Sequence, residues 1–203
     1  MIEITVRSRR VTRGRTIDLP YFIADPTKRV TQSVTLVCYG RAMPVYHFTF
    51  HAYGTWLPDR AEGYTPYRSG WKPPDTKRAD QYRDQMDQAV SRFDTPSQRH
   101  ALETLLRGQP LQSDELYVFA ADDSHLHAVI AWRDNREPTR VQSQVKSSLI
   151  RALNEGRSKR KWLARGAGKT PVVDEEHLHH LAHVYLPSHS GVYWRRLVNG
   201  KGD

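Results

Sequence analysis

The stretch DDSHLHAVIAW, residues 122 to 132, sets His125 and His127 one residue apart in an otherwise apolar run. In an extended strand, residues i and i+2 share a face, so the two imidazoles project side by side, about 7 Å apart at the backbone. That spacing lets both reach one ion, while Leu126, Ala128, Ile130 and Trp132 point the other way, into a core. It suits two histidines on a solvated face equally well, and a chain with ten histidines produces such a pair readily. A third ligand and a nucleophile nearby would decide between the two. Further on, Tyr185 and His189 stand four residues apart, one turn on a continuous helix. Leu178, Leu181, Ala182 and Tyr185 follow i, i+3, i+4, i+7, so by pattern alone Tyr185 is the polar end of a core face. Pro187 interrupts the helical path to His189.

The elements that must position these groups are legible in outline. Val45 to Tyr53 alternates, is rich in aromatic and β-branched residues, and reads as a strand ended by Gly54. Residues 58 to 77 read as a long loop, and Asp80 to Phe93 as a weak, polar helix. Thr95 as N-cap and Pro96 at the first helical position open a stronger helix, with Ala101, Leu102, Leu105 and Leu106 on one face and Gly108 as its close. Two apolar runs flank Asp122-Asp123-Ser124, a β-hairpin pattern that puts His125 and His127 on its second strand. From Pro138 or Thr139, the stripe Val141, Val145, Leu149, Ala152, Leu153 predicts a helix that stops at Gly156. Asp174 caps a last helix, with Glu175 and Glu176 in its first turn, where the helix dipole favours acids. Strand, helix, hairpin, helix, helix is an α+β domain on an antiparallel sheet.

The chain has 203 residues, enough for one domain with a sizeable core, and 31 Lys and Arg against 22 Asp and Glu give it a net charge of +9. Such a surface favours polyanions, of which nucleic acid is the commonest. Residues 1–43 carry eight basic residues against Glu3, Asp18 and Asp25, and hold one expected strand, Ser33 to Tyr39. They read as a basic N-terminal extension to a domain over residues 44–203. The single cysteine, Cys38, excludes an internal disulfide and a cysteine-based zinc cluster. The first residues lack the apolar region of a secretory signal, and no run is long enough to span a membrane, so the expectation is a cytoplasmic, nucleoid-associated protein.

Taken in order, YHFTFHAYGTWL, SHLHAVI on a hairpin, VKSSLIRALN, WLARG and DEEHLHHLAHVYLPSHSG resemble the single-tyrosine HUH transposases, and among them the REP-associated tyrosine transposases. The resemblance covers about residues 45 to 195 and rests on the ordered combination rather than on any one motif. HUH denotes His-hydrophobic-His, which His125-Leu126-His127 fits. The resemblance implies a ferredoxin-like antiparallel sheet with helices packed on one face. It implies His125 and His127 as ligands to a divalent metal, Mg²⁺ or Mn²⁺, and Tyr185 as nucleophile. In the family a Gln or Asn four residues after the tyrosine completes the metal site; this chain departs with His189, also a competent ligand. Lys146 sits near where the family often has a lysine, implying a phosphate contact. The implied activity is nicking and rejoining of single-stranded or hairpin DNA through a 5′-phosphotyrosine, by a monomer or homodimer. The His189 departure and Pro187 support a second reading, a domesticated relative that binds DNA hairpins without cutting them.

A DNA contact is expected at Arg157, Lys159, Arg160, Lys161 and Trp162, cations for phosphate and an aromatic for a base; a solvated basic loop reads the same way. RGAGKT is not a P-loop, because GxxxxGK[ST] needs glycine where Leu163 stands. His47-Phe48-Thr49 matches the His-x-Thr of two-histidine phosphoesterases, but His125 is followed by Leu126-His127 and not by a second His-x-Ser/Thr.

Overall fold

The computed structural model describes residues 10–12, 15–17, 43–66, 70–112, 114–156 and 159–196. Two short strands, β1 (Arg10–Thr12) and β2 (Arg15–Ile17), pair antiparallel as a separate two-stranded sheet. The strand expected at Ser33 to Tyr39 lies outside the described residues.

The main domain runs β3 (Val45–His51), α1 (Thr76–Asp84), α2 (Thr95–Gln112), β4 (Asp114–Ala121), β5 (His125–Trp132), α3 (Pro138–Asn154), β6 (Gly168–Pro171), α4 (Glu175–His180) and β7 (Tyr193–Arg195). One five-stranded sheet results, in the order β6-β3-β5-β4-β7, antiparallel throughout. The succession β3-α2-β4-β5-α3-β6 is the βαββαβ arrangement of ferredoxin-like folds, with β7 added at one edge. The α+β class and the antiparallel sheet are those expected from the sequence.

Strand alternation divides the side chains between two faces. Phe48 and Phe50 of β3 join Leu126, Ala128, Ile130 and Trp132 of β5 on the face covered by α2 and α3, which bring Ala101, Leu105, Val141, Val145, Leu149 and Leu153. The two long helices thus share a face, and the whole expected stripe of α3 is buried. On the opposite face Val118, Ala120 and Val129 pack under Leu178, Leu181, Ala182 and Leu186 of the C-terminal helical segment. The histidines lie on that side, because each is one residue out of step with the main core.

Some boundaries differ from expectation for local reasons. The first helix is Thr76–Asp84, not Asp80 to Phe93, because Asp75 accepts a hydrogen bond from the Arg78 amide at 2.9 Å and caps it. Asp94, not Thr95, caps α2, accepting from the Ser97 amide at 2.9 Å, and the helix runs past Gly108 to Gln112. Strands β6 and β7 carry no pattern that announces them; β6 is fully exposed along its length and exists by pairing with β3. Its Gly168, Lys169 and Thr170 belong to an edge strand, consistent with rejecting the P-loop. Among the described residues no helix is long and apolar enough to cross a membrane.

Candidate metal centre

On the face opposite the two long helices, β5 presents His125 and His127, and β3 presents His51 and Thr49 directly across the ladder from them. His189 reaches the same place from the C-terminal segment. One nitrogen from each of His125, His127 and His189 lies within 4.8 Å of the others. The His127 and His189 ring centroids are 4.5 Å apart, and those of His125 and His127 are 4.6 Å apart.

The route to His189 explains how a proline is accommodated. After His180 the α-helix widens into a π-helical turn, Leu181–Tyr185, in which the Leu186 amide donates to the Leu181 carbonyl. A 3₁₀ turn, Leu186–Ser188, then takes Pro187 in its first positions, where no amide is required, and His189 is extended. Tyr193 on β7 donates its hydroxyl to the Ala182 carbonyl inside the π turn, and burial pushes that phenol up to about 12, keeping it a donor. Tyr185, 41% exposed, lies over the cluster with its ring centroid 5.3 Å from His189 and 5.8 Å from His127. It is therefore not a core tyrosine. The widened turn brings it beside His189 without a continuous α-helix.

Hydrogen bonds at Nδ1 fix the tautomer of two of these rings. His125 Nδ1 lies 2.9 Å from Asp122 Oδ1 and 2.7 Å from Ser124 Oγ. A carboxylate only accepts, so Nδ1 carries the proton and Nε2 keeps its lone pair. His189 Nδ1 donates to the Leu186 carbonyl at 3.2 Å, with the same consequence. His127 Nδ1 is 2.9 Å from His47 Nε2 and 3.2 Å from Thr49 Oγ1, while its own Nε2 is buried without a hydrogen-bond partner among the described residues. A buried polar atom without a partner is costly unless something else occupies its lone pair. Three imidazoles converge, each with Nδ1 in a polar contact, a pattern shared by metal-binding histidines. Electrostatics agree: burial and then the neighbouring histidines hold His127 down to about 2, and burial also lowers His125. Both stay neutral, the form that binds metal. The residues present fit a divalent ion.

Two further histidines on β3 support this site. His47, lowered to about 4 chiefly by burial, orients His127, and His51, likewise lowered to about 4, stands beside His125 with ring centroids 5.8 Å apart. The signal was present in HFTFH, whose alternate residues His47, Thr49 and His51 share one strand face.

The expected DNA-contact residues lie elsewhere. Lys146 extends from α3, on the helix-covered face, and donates to the carbonyls of Ala164 and Arg165 at 2.5 and 2.7 Å. Trp162 is 5% exposed and stacks on Phe93 within the main core, so its expected role as a surface aromatic does not stand. The apolar bulk of the indole wins over its position in a basic run. Lys161 pairs with Asp87, and Arg160 donates to Ser91 Oγ at 3.0 Å and lies over Trp162. Lys159 is exposed, and Arg157 lies outside the described residues.

No protein-family model and no curated protein matches the chain. Among solved structures it has a distant, fold-level likeness to a REP-associated tyrosine transposase bound to a REP hairpin, with 9% identity, 75% of this chain and 72% of that chain covered, and a TM-score of 0.40.

Proposed function

We propose that this protein is a metal-dependent DNA-nicking and rejoining enzyme of the transposase type, with Tyr185 as nucleophile and His125, His127 and His189 as metal ligands. The observation that carries the reading is a half-exposed tyrosine ring over three convergent imidazoles, each offering one ring nitrogen within 4.8 Å of the others. A bound Mg²⁺ or Mn²⁺ would polarise a non-bridging phosphate oxygen, and an all-imidazole set suits Mn²⁺ better. Tyr185 Oη attacks phosphorus, the P–O3′ bond breaks, and the phenolic proton ends on the departing 3′ oxygen. The product is a 5′-phosphotyrosine and a free 3′-hydroxyl. Because the ester is conserved, attack by a 3′-hydroxyl reverses the step without ATP. Single-stranded or hairpin DNA is the substrate class, since in-line attack needs an accessible strand, and the net +9 charge favours it.

The test is incubation with hairpin oligonucleotides and Mn²⁺, followed by denaturing electrophoresis. A covalent protein–DNA adduct is expected, absent in Tyr185→Phe and in His127→Ala. An adduct that persists in Tyr185→Phe overturns the nucleophile assignment. Tight hairpin binding with no adduct under any divalent ion identifies an inactive hairpin-binding protein. Cleaved product without a covalent species identifies a metal hydrolase.

A further inference from the structure

Beside the histidine cluster stands an aromatic residue that the mechanism above does not use. Trp56 is 44% exposed, although a large apolar ring of this kind normally seeks burial. It is not loosely held. Its indole packs on the His51 imidazole with centroids 4.2 Å apart, and the Arg60 guanidinium lies 3.9 Å from its ring centre. The preceding turn is fixed as well: Thr55 Oγ1 donates to the carbonyls of Ala52 and Ser124 at 2.8 and 3.2 Å. Gly54 adopts φ +79°, and a Cβ there would meet Met86 Cε at 2.5 Å. Ser124 immediately precedes His125, so the turn that carries Trp56 is tied to the strand that carries the candidate ligands.

We propose that Trp56, backed by His51 and Arg60, is the stacking platform for an unpaired base next to the phosphate engaged at the histidine site. The occupant is a nucleotide of single-stranded DNA, and the inference rests on the nucleic-acid part of the function proposed above. His51 supplies continuity, touching Trp56 on one side and His125 on the other. Arg60 supplies charge, its guanidinium lying over the indole face. A base sliding onto the indole releases Arg60 toward the adjoining phosphate, since its only acid partner among the described residues is the exposed Glu62 at 3.4 Å. Stacking on a fixed aromatic is tolerant of sequence and is denied to bases inside a duplex. The platform therefore selects strand state and not base identity. It takes over the aromatic role that buried Trp162 cannot serve.

The test uses full-length Tyr185→Phe protein, so that binding is read without covalent capture. A fluorophore-labelled oligothymidine and a duplex of equal length are titrated by anisotropy in Mn²⁺, beside Trp56→Phe and Trp56→Leu in the same background. Trp56→Leu should weaken single-strand binding about tenfold and Trp56→Phe much less, as expected for loss of one base–aromatic stack. Duplex binding, and Mn²⁺ binding by calorimetry, should not change. Arg60→Gln should lower the slope of log K against log salt by about 0.7, the share of one single-strand phosphate. As a readout that does not depend on the folding of Trp56→Leu, tryptophan emission should be quenched by the oligothymidine in the parent and not in Trp56→Phe. Single-strand binding by Trp56→Leu within about twofold of the parent overturns the platform while leaving the nicking reading intact. No single-strand binding by the parent overturns the platform and, with no hairpin adduct from wild-type protein, the nicking reading as well. Loss of binding in Trp56→Leu, with no adduct from wild-type protein, supports the platform and removes the nicking reading.

Discussion

The two faces of the central sheet are built from the same strands and solve different problems. On β5, Leu126, Ala128, Ile130 and Trp132 face two long helices and are at most 3% exposed. On the alternate positions His125 and His127 face a short helix that loosens into a π turn. The first face stabilises the domain by apolar burial, at about 25 cal/mol per Å² of area removed from water. The second buries imidazoles, one of them with a ring nitrogen that no group among the described residues satisfies. Local rules are broken on one side of a strand while its other side follows them closely, and such breaks mark functional sites.

The contrast can be broken first on the apolar face. Phe48, fully buried between Tyr46, Phe50 and Trp132, should lose about 3–5 kcal/mol on replacement by alanine, read from denaturant midpoints. A loss below about 1 kcal/mol would mean that this face is not the stabilising one. The histidine face should respond to metal instead. At a hundredfold excess over its Kd, Mn²⁺ should stabilise wild-type protein by about 2.7 kcal/mol. His127→Ala and His189→Ala should lose that increment. An undiminished shift in both variants would remove them from the ligand set.

The third expectation concerns protons in metal-free protein. His47 and His127, 9% and 2% exposed, are held down to about 4 and about 2 against an ordinary 6.5, chiefly by burial. The unfolded chain therefore binds more protons than the native one below pH 6.5, and stability falls as pH falls. The contribution is complete above about pH 6.5 and drains away toward pH 4 for His47 and further for His127. Between pH 7 and 6 the loss should be at most about 1 kcal/mol per group, measured by thermal melts in chelator. Phe48→Ala should shift the whole curve down without altering this slope. His47→Gln should flatten it.

The antiparallel hairpin, the buried stripe of α3 and the Asp174 cap of the last helix were legible because each depends on neighbours within one turn or one strand. Asp174 accepts from the His177 amide at 2.7 Å, as its place before Glu175 and Glu176 suggests. The edge strands β6 and β7 were not legible, since pairing with a distant strand, and not any pattern of their own, makes them strands.

The candidate site divides in the same way. Residue order along β5 was sufficient to put His125 and His127 on one face, because strand geometry has a period of two. Whether a third histidine met them depended on how the chain passes Pro187, and a local pattern could not say. The π turn, the 3₁₀ turn and the Tyr193 hydroxyl bring His189 and Tyr185 to the cluster across the sheet. His47 supports His127 from 80 residues away, and Trp162 leaves the basic surface for the core. Those placements follow from burial and pairing between segments far apart in the chain, and only the packed molecule brings such segments together.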